Sequence, residues 1–156
     1  MGQGISTEGA LEGTDQGQKT VKSACFSVRL MFSIVKQGVN VGVTVERGDF
    51  LTREEATAMV VAAGLHSRDG AMESGDLEDV HWHKTSLKIY LLSGTFETKD
   101  VVSDQLLPAG PGDIISIPEG TLHAARCPDP TTYVVGFESE EAMKNFRPEA
   151  PETLGN

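Results

Sequence analysis

From Leu87 onward the chain is cut into short β-prone runs by glycine, proline and aspartate, and this spacing leaves few folds open. "LKIYLLS", "GTFETKDV", "DIISI" and "TYVVGFE" are each of strand length, rich in β-branched and aromatic residues, and bounded by turn formers. Even spacing of that kind predicts an all-β sandwich or barrel. Upstream, "NVGVTVERG" (Asn40 to Gly48) alternates, which puts Val41, Val43 and Val45 on one face of a strand. "ACFSVRLMFSIV" (Ala24 to Val35) reads as a further strand, with a buried helix as the alternative.

One segment breaks the pattern. Thr52 stands as an N-cap with Glu55 three residues on, and Ala56, Met59, Val60 and Ala63 follow at helical spacing up to Gly64. That helix is expected to lay Met59 and Val60 on the outside of a sheet. A second short helix, Glu140 to Phe146 with Ser139 as its cap, is expected near the end. Residues 65–79 are polar and read as loop, so His66 is taken as a surface residue. Residues 1–20 read as a disordered arm, 21–147 as one folded domain and 148–156 as a flexible tail. The opening "MGQGIS" fits a myristoylation pattern at Gly2 and Ser6 and is taken as a chance match.

Charge narrows the partners. The chain carries 23 acidic and 13 basic residues, a net charge of −10. That argues against nucleic acid, whose phosphates need a basic surface. No apolar run reaches membrane length and the opening residues are too polar for a secretory leader, so a cytoplasmic protein without a membrane partner is expected. The two cysteines, Cys25 and Cys127, read as free thiols of a reducing compartment, with a single disulfide as the alternative.

The chemistry is concentrated in two stretches, "VHWHKTSLKIYLLSG" and "GDIISIPEGTLHAAR". His81 and His83 are one residue apart, so on a strand both imidazoles face one side while Trp82 points to the other. Trp82, Tyr90 and Leu92 then share the packing face. Ile89 and Leu91 are expected to line the interior with Leu87 at its edge, and Ile117 is placed with them as pocket lining. In the second stretch Pro118 and Gly120 make a rigid turn that presents His123.

With these residues in view the chain resembles the cupins, small double-stranded β-helix (jelly-roll) barrels. The first cupin motif runs glycine, five residues, His-x-His, three or four residues, glutamate, six residues, glycine. Gly75, His81, His83 and Gly94 fall in place, and Leu87 stands where the glutamate belongs. The second motif is met by Gly112, Pro118, Gly120 and His123, with Cys127 at its asparagine position. The resemblance implies an all-β jelly-roll barrel with one or two short peripheral helices. It implies a metal centre of His81, His83 and His123, lacking the usual carboxylate. Three imidazoles suit a divalent transition metal, iron first, with zinc, nickel, copper or manganese as alternatives. Some cupins, the thiol dioxygenases and certain diketone-cleaving dioxygenases, hold iron on three histidines. The reading therefore leans to a small-molecule enzyme of dioxygenase type. A non-catalytic ligand-binding or sensing module, or an isomerase or lyase acting on a sugar or small acid, are the alternatives. The family also implies a homodimer, for which the apolar stretch Ala24 to Val35 is the expected interface. Thr85 and Ser86 are weaker candidates for a substrate hydroxyl contact, and Cys127 for the pocket mouth.

Overall fold

The computed structural model describes residues 42–155. The expected N-terminal arm, the domain start at residue 21, the apolar stretch Ala24 to Val35, Val41 and Cys25 lie outside the described residues. The described elements are β1 (Thr44–Arg47), α1 (Arg53–Ala62), β2 (His66–Met72), β3 (Leu77–His81), β4 (Leu87–Ser93), β5 (Phe96–Asp100), β6 (Gln105–Ala109), β7 (Asp113–Ile117), β8 (His123–Arg126), β9 (Thr131–Phe137) and α2 (Glu140–Asn145).

Alternation sorts these strands into two layers. One sheet has the order β1-β7-β4-β9-β2 and the other β3-β8-β5-β6, with antiparallel pairing throughout. Leu87, Ile89, Leu91, Ile115, Ile117, Val135 and Phe137 of the first sheet share one buried cluster with Phe96, Ala109 and Ala125 of the second. The two sheets therefore face each other across an apolar interior, as the double-stranded β-helix requires. The fold is an antiparallel double-stranded β-helix barrel, with two α-helices and a short 3-10 helix (Pro151–Thr153) beside it.

The even-numbered side of β4 looks outward. Tyr90 joins Ile114, Val134, Phe50, Ala56 and Val60 in a second buried cluster under α1. The predicted capping box closes this helix at Thr52 and Glu55, and Gly64 follows its end at a φ of +74°. Ser139 caps α2 through the Ala142 amide, and the helix ends one residue before Phe146.

Two expectations need correction. Residues 65–79 do not form a loop: they supply β2 and part of β3. Their polar composition hid strands that are stabilised by long-range pairing, β2 along its whole length against β9. Gly70 makes room there, since a Cβ on it would lie 2.1 Å from the Tyr133 ring. The tail from residue 148 is not loose. Glu149 and Trp82 exchange two backbone hydrogen bonds of 2.9 and 3.1 Å, and the Trp82 indole N–H donates to the Ala150 carbonyl and the Thr153 hydroxyl. Trp82 thus packs against the tail, while Tyr90 and Leu92 pack under α1.

Candidate metal centre

The motif glycines explain themselves first. Gly75, Gly94, Gly112 and Gly120 all have positive φ, which side-chain-bearing residues adopt at a cost. Gly94 is the tightest, because a Cβ would lie 2.4 Å from the Pro130 carbonyl. Gly120 does more than turn the chain. Its amide donates to the His83 carbonyl at 3.0 Å, which ties the second motif to the first. The Gly75 amide donates to the Cys127 carbonyl at 2.7 Å, and the Cys127 amide to the Asp76 carbonyl at 3.0 Å.

These ties bring the three histidines together. His81 ends β3, directly across from His123 at the start of β8. His83 follows in the connection to β4. The ring centroids lie 4.3 Å apart for His81 and His123, and 4.8 Å apart for His83 with either partner. One ring nitrogen from each falls within 4.8 Å of the others, and all three residues are buried. Hydrogen bonds fix two of the rings. His81 Nδ1 sits 2.6 Å from the Asp79 carbonyl and His123 Nδ1 2.8 Å from the Thr121 carbonyl. A carbonyl accepts only, so both Nδ1 atoms carry the proton and both Nε2 atoms keep a lone pair. His83 Nδ1 is buried with no partner.

Burial, then the nearby His123 and His81, push the His83 pKa down to about 3. Burial lowers that of His123 to about 4; the Thr121 carbonyl opposes it, His81 adds to it and Asp100 opposes it. At neutral pH both rings are therefore neutral imidazoles, the state in which histidine ligates metals. Three imidazoles in one place, with a buried ring nitrogen of His83 lacking any partner, fit a divalent transition ion.

His83 and His123 open on a cavity of about 60 Å³, room for a handful of ligand atoms. Leu87, Ile89 and Ile117 line it, with Phe96, Val135 and Phe146. Leu91 does not reach it: it is fully buried in the apolar core. Three polar side chains in the cavity were not singled out from sequence, Arg68 from β2, Glu78 from β3 and Tyr133 from β9. The Arg68 guanidinium lies over the Phe137 and Phe146 rings at 4.8 and 5.1 Å and donates to the Met143 carbonyl. Burial pushes the Tyr133 phenol up to about 12; Glu78 and Cys127 raise it further, Arg68 lowers it and Asp76 raises it. A strand of polar composition carries no sign that one of its residues faces a cavity, so only the pairing of β2 with β9 reveals Arg68.

The weaker candidates fall elsewhere. Cys127 is a free, fully buried thiol whose Sγ lies 3.6 Å from the Met72 sulfur. The Ser86 hydroxyl accepts from the Glu119 amide and Thr85 borders an outer groove, so neither lines the cavity. His66 is exposed on β2.

No family model matches the sequence, and no curated protein matches it. Solved structures do. The lyase DddQ from Ruegeria pomeroyi DSS-3, described as a DMSP lyase, is 24% identical over 59% of this chain and 45% of its own, with a TM-score of 0.48. A cupin 2 domain-containing protein from Halorhodospira halophila is 16% identical over 74% of each chain, with a TM-score of 0.45. A DUF861 family protein from Thermotoga maritima is 14% identical over 61% of this chain and 98% of its own, with a TM-score of 0.44.

Proposed function

We propose that this chain is a metal-dependent enzyme acting on a small molecule, with a divalent transition metal held by His81, His83 and His123. The observation that carries the reading is the convergence of three buried imidazoles, two of which, His83 and His123, line a cavity in the barrel. A metal bound there supplies a Lewis acid and open positions for substrate and dioxygen. The first reading is accordingly a dioxygenase type of reaction, with iron as the leading metal.

The chain's own residues supply the rest. His81 and His123 are held in the ligating tautomer by the Asp79 and Thr121 carbonyls. Leu87, Ile89 and Ile117 keep bulk water from the cavity and accept the apolar part of a substrate. Tyr133 stays protonated at neutral pH and offers a proton or a hydrogen bond to a substrate oxygen. Arg68 places a positive charge beside the same cavity, which favours an anionic substrate.

A second reading, lyase or isomerase chemistry on a small acid, is favoured by Glu78 and Tyr133, which bring a carboxylate and a phenol into one cavity. Elemental analysis of untagged protein comes first. Wild type is expected to hold near one equivalent of metal, and His83→Ala and His123→Ala almost none. Turnover of a panel of small carboxylates, thiols and diketones, run in air and under argon, separates the two readings. Oxygen-dependent loss of substrate supports the dioxygenase and oxygen-independent loss the lyase. Untagged wild type that takes up no divalent ion sinks both.

No helix among the described residues is long and apolar enough to cross a membrane. The reading takes the protein as a cytoplasmic homodimer with no nucleic-acid partner. A monomeric mass by light scattering at micromolar concentration would remove the dimer from it.

A further inference from the structure

A carboxylate is missing at Leu87, but one stands on the other side of the histidine pair. We infer that Glu78 supplies the fourth ligand of the centre, a role that rests on the three-histidine reading above. Glu78 and His81 are three residues apart, and on a regular strand they would point to opposite faces. β3 is not regular. Its register against β8 runs Glu78 to Ala125 and then His81 to His123, so three steps on β3 answer two on β8. That is a β-bulge, and the extra residue turns Glu78 onto the face that carries His81. Directly paired residues share a face, and Ala125 and His123, two apart on β8, point the same way.

The distances agree. Glu78 Oε2 lies 3.9 Å from His81 Nε2, the nitrogen left free to ligate by the bond to Asp79. The three histidine donors lie within 4.8 Å of one another and Glu78 stands just outside that group, so its carboxylate joins them by a side-chain rotation. Glu78 also lines the same cavity as His83 and His123, and it is partly exposed, so its side chain can swing without repacking the core. The cations near it are engaged elsewhere: Arg68 with two rings and the Met143 carbonyl, Arg126 with Glu97, and Lys99 with Asp104. The resulting donor set is three nitrogens and one oxygen, one unit less positive than the histidines alone, and more hospitable to iron(II) and manganese(II).

Cobalt(II) binding to the full-length, untagged chain tests this, read by competition with a chelator and by the visible spectrum of the bound ion. Glu78→Gln is expected to weaken cobalt binding by at least about tenfold and to change the spectrum, as loss of a ligand does. Glu73→Gln removes the same charge from the exposed turn before β3, away from the histidines, and is expected to bind as wild type does. His83→Ala is expected to lose binding altogether. Glu78→Gln with wild-type affinity and spectrum, or an equal loss in Glu73→Gln, overturns the assignment while the three-histidine centre stands. Wild type that binds no cobalt, or His83→Ala that binds it fully, overturns the centre itself.

Discussion

The two faces of strand β4 are built on opposite terms. Outward, Tyr90 meets Ile114, Val134, Ala56 and Val60 in an apolar layer sealed by α1, with no polar group left over. Inward, Leu87 and Ile89 share their space with two histidines, Arg68, Glu78 and Tyr133. Among the described residues, three buried polar side-chain atoms have no partner, His83 Nδ1, Thr98 Oγ1 and Thr121 Oγ1; none belongs to the outer cluster, and His83 lines the inner cavity. A lone buried polar atom is costly. The outer face spends nothing of that kind and holds the fold. The inner face tolerates the cost where a ligand can relieve it.

The comparison breaks most sharply at His123. His123→Gln is expected to remove nearly all metal from the protein, by elemental analysis, while its side chain fills much of the ring's place and leaves the thermal midpoint of the metal-free form nearly unchanged. Ile114→Ala should do the reverse. It opens a cavity under α1 and costs about 2–5 kcal/mol in denaturant unfolding, with metal content kept. If either variant shows both losses, the two faces are not independent. Gly70→Ala sharpens the boundary between them, since the new Cβ must displace the Tyr133 ring; about 1–3 kcal/mol is expected. Thr52→Ala deletes the capping box of α1 and should cost about 1 kcal/mol, with no effect on metal binding.

The smallest effect is a slope. Asp100 is buried; burial works to raise its pKa, but the amides of Ser103, Val43 and Val102 outweigh it and hold the carboxyl below its ordinary range. A folded pKa below the unfolded one adds stability that is complete above the unfolded value, near 4, and fades as pH falls through the folded value. Wild type should therefore lose stability across that acid window, and Asp100→Asn should show a flatter acid limb. Parallel limbs in urea midpoints taken from neutral to acid pH would remove Asp100 from the account.

What could be read from sequence was whatever repeats locally. The capping box at Thr52 and Glu55, the alternation of β4 and β7, and the two histidine motifs carry their signal within a few residues. What could not be read depends on distant partners. β2 is a polar strand stabilised by β9, so Arg68 and Tyr133 came to the cavity unannounced. Glu78 escaped because a bulge shifts the period of two on which face assignments rest. The docked tail escaped for a different reason: polar composition describes a segment's solubility, and Glu149 and Thr153 use their polar groups to hold Trp82.

That last contact gives the molecule an optical readout of its own. Trp82 is the chain's only tryptophan, it separates His81 from His83, and its indole N–H is held by the C-terminal segment. Its emission is therefore tied to two events at once, arrival of a quenching transition ion at the neighbouring imidazoles and release of the tail. Diamagnetic zinc, which does not quench, separates the two signals in an ordinary fluorimeter.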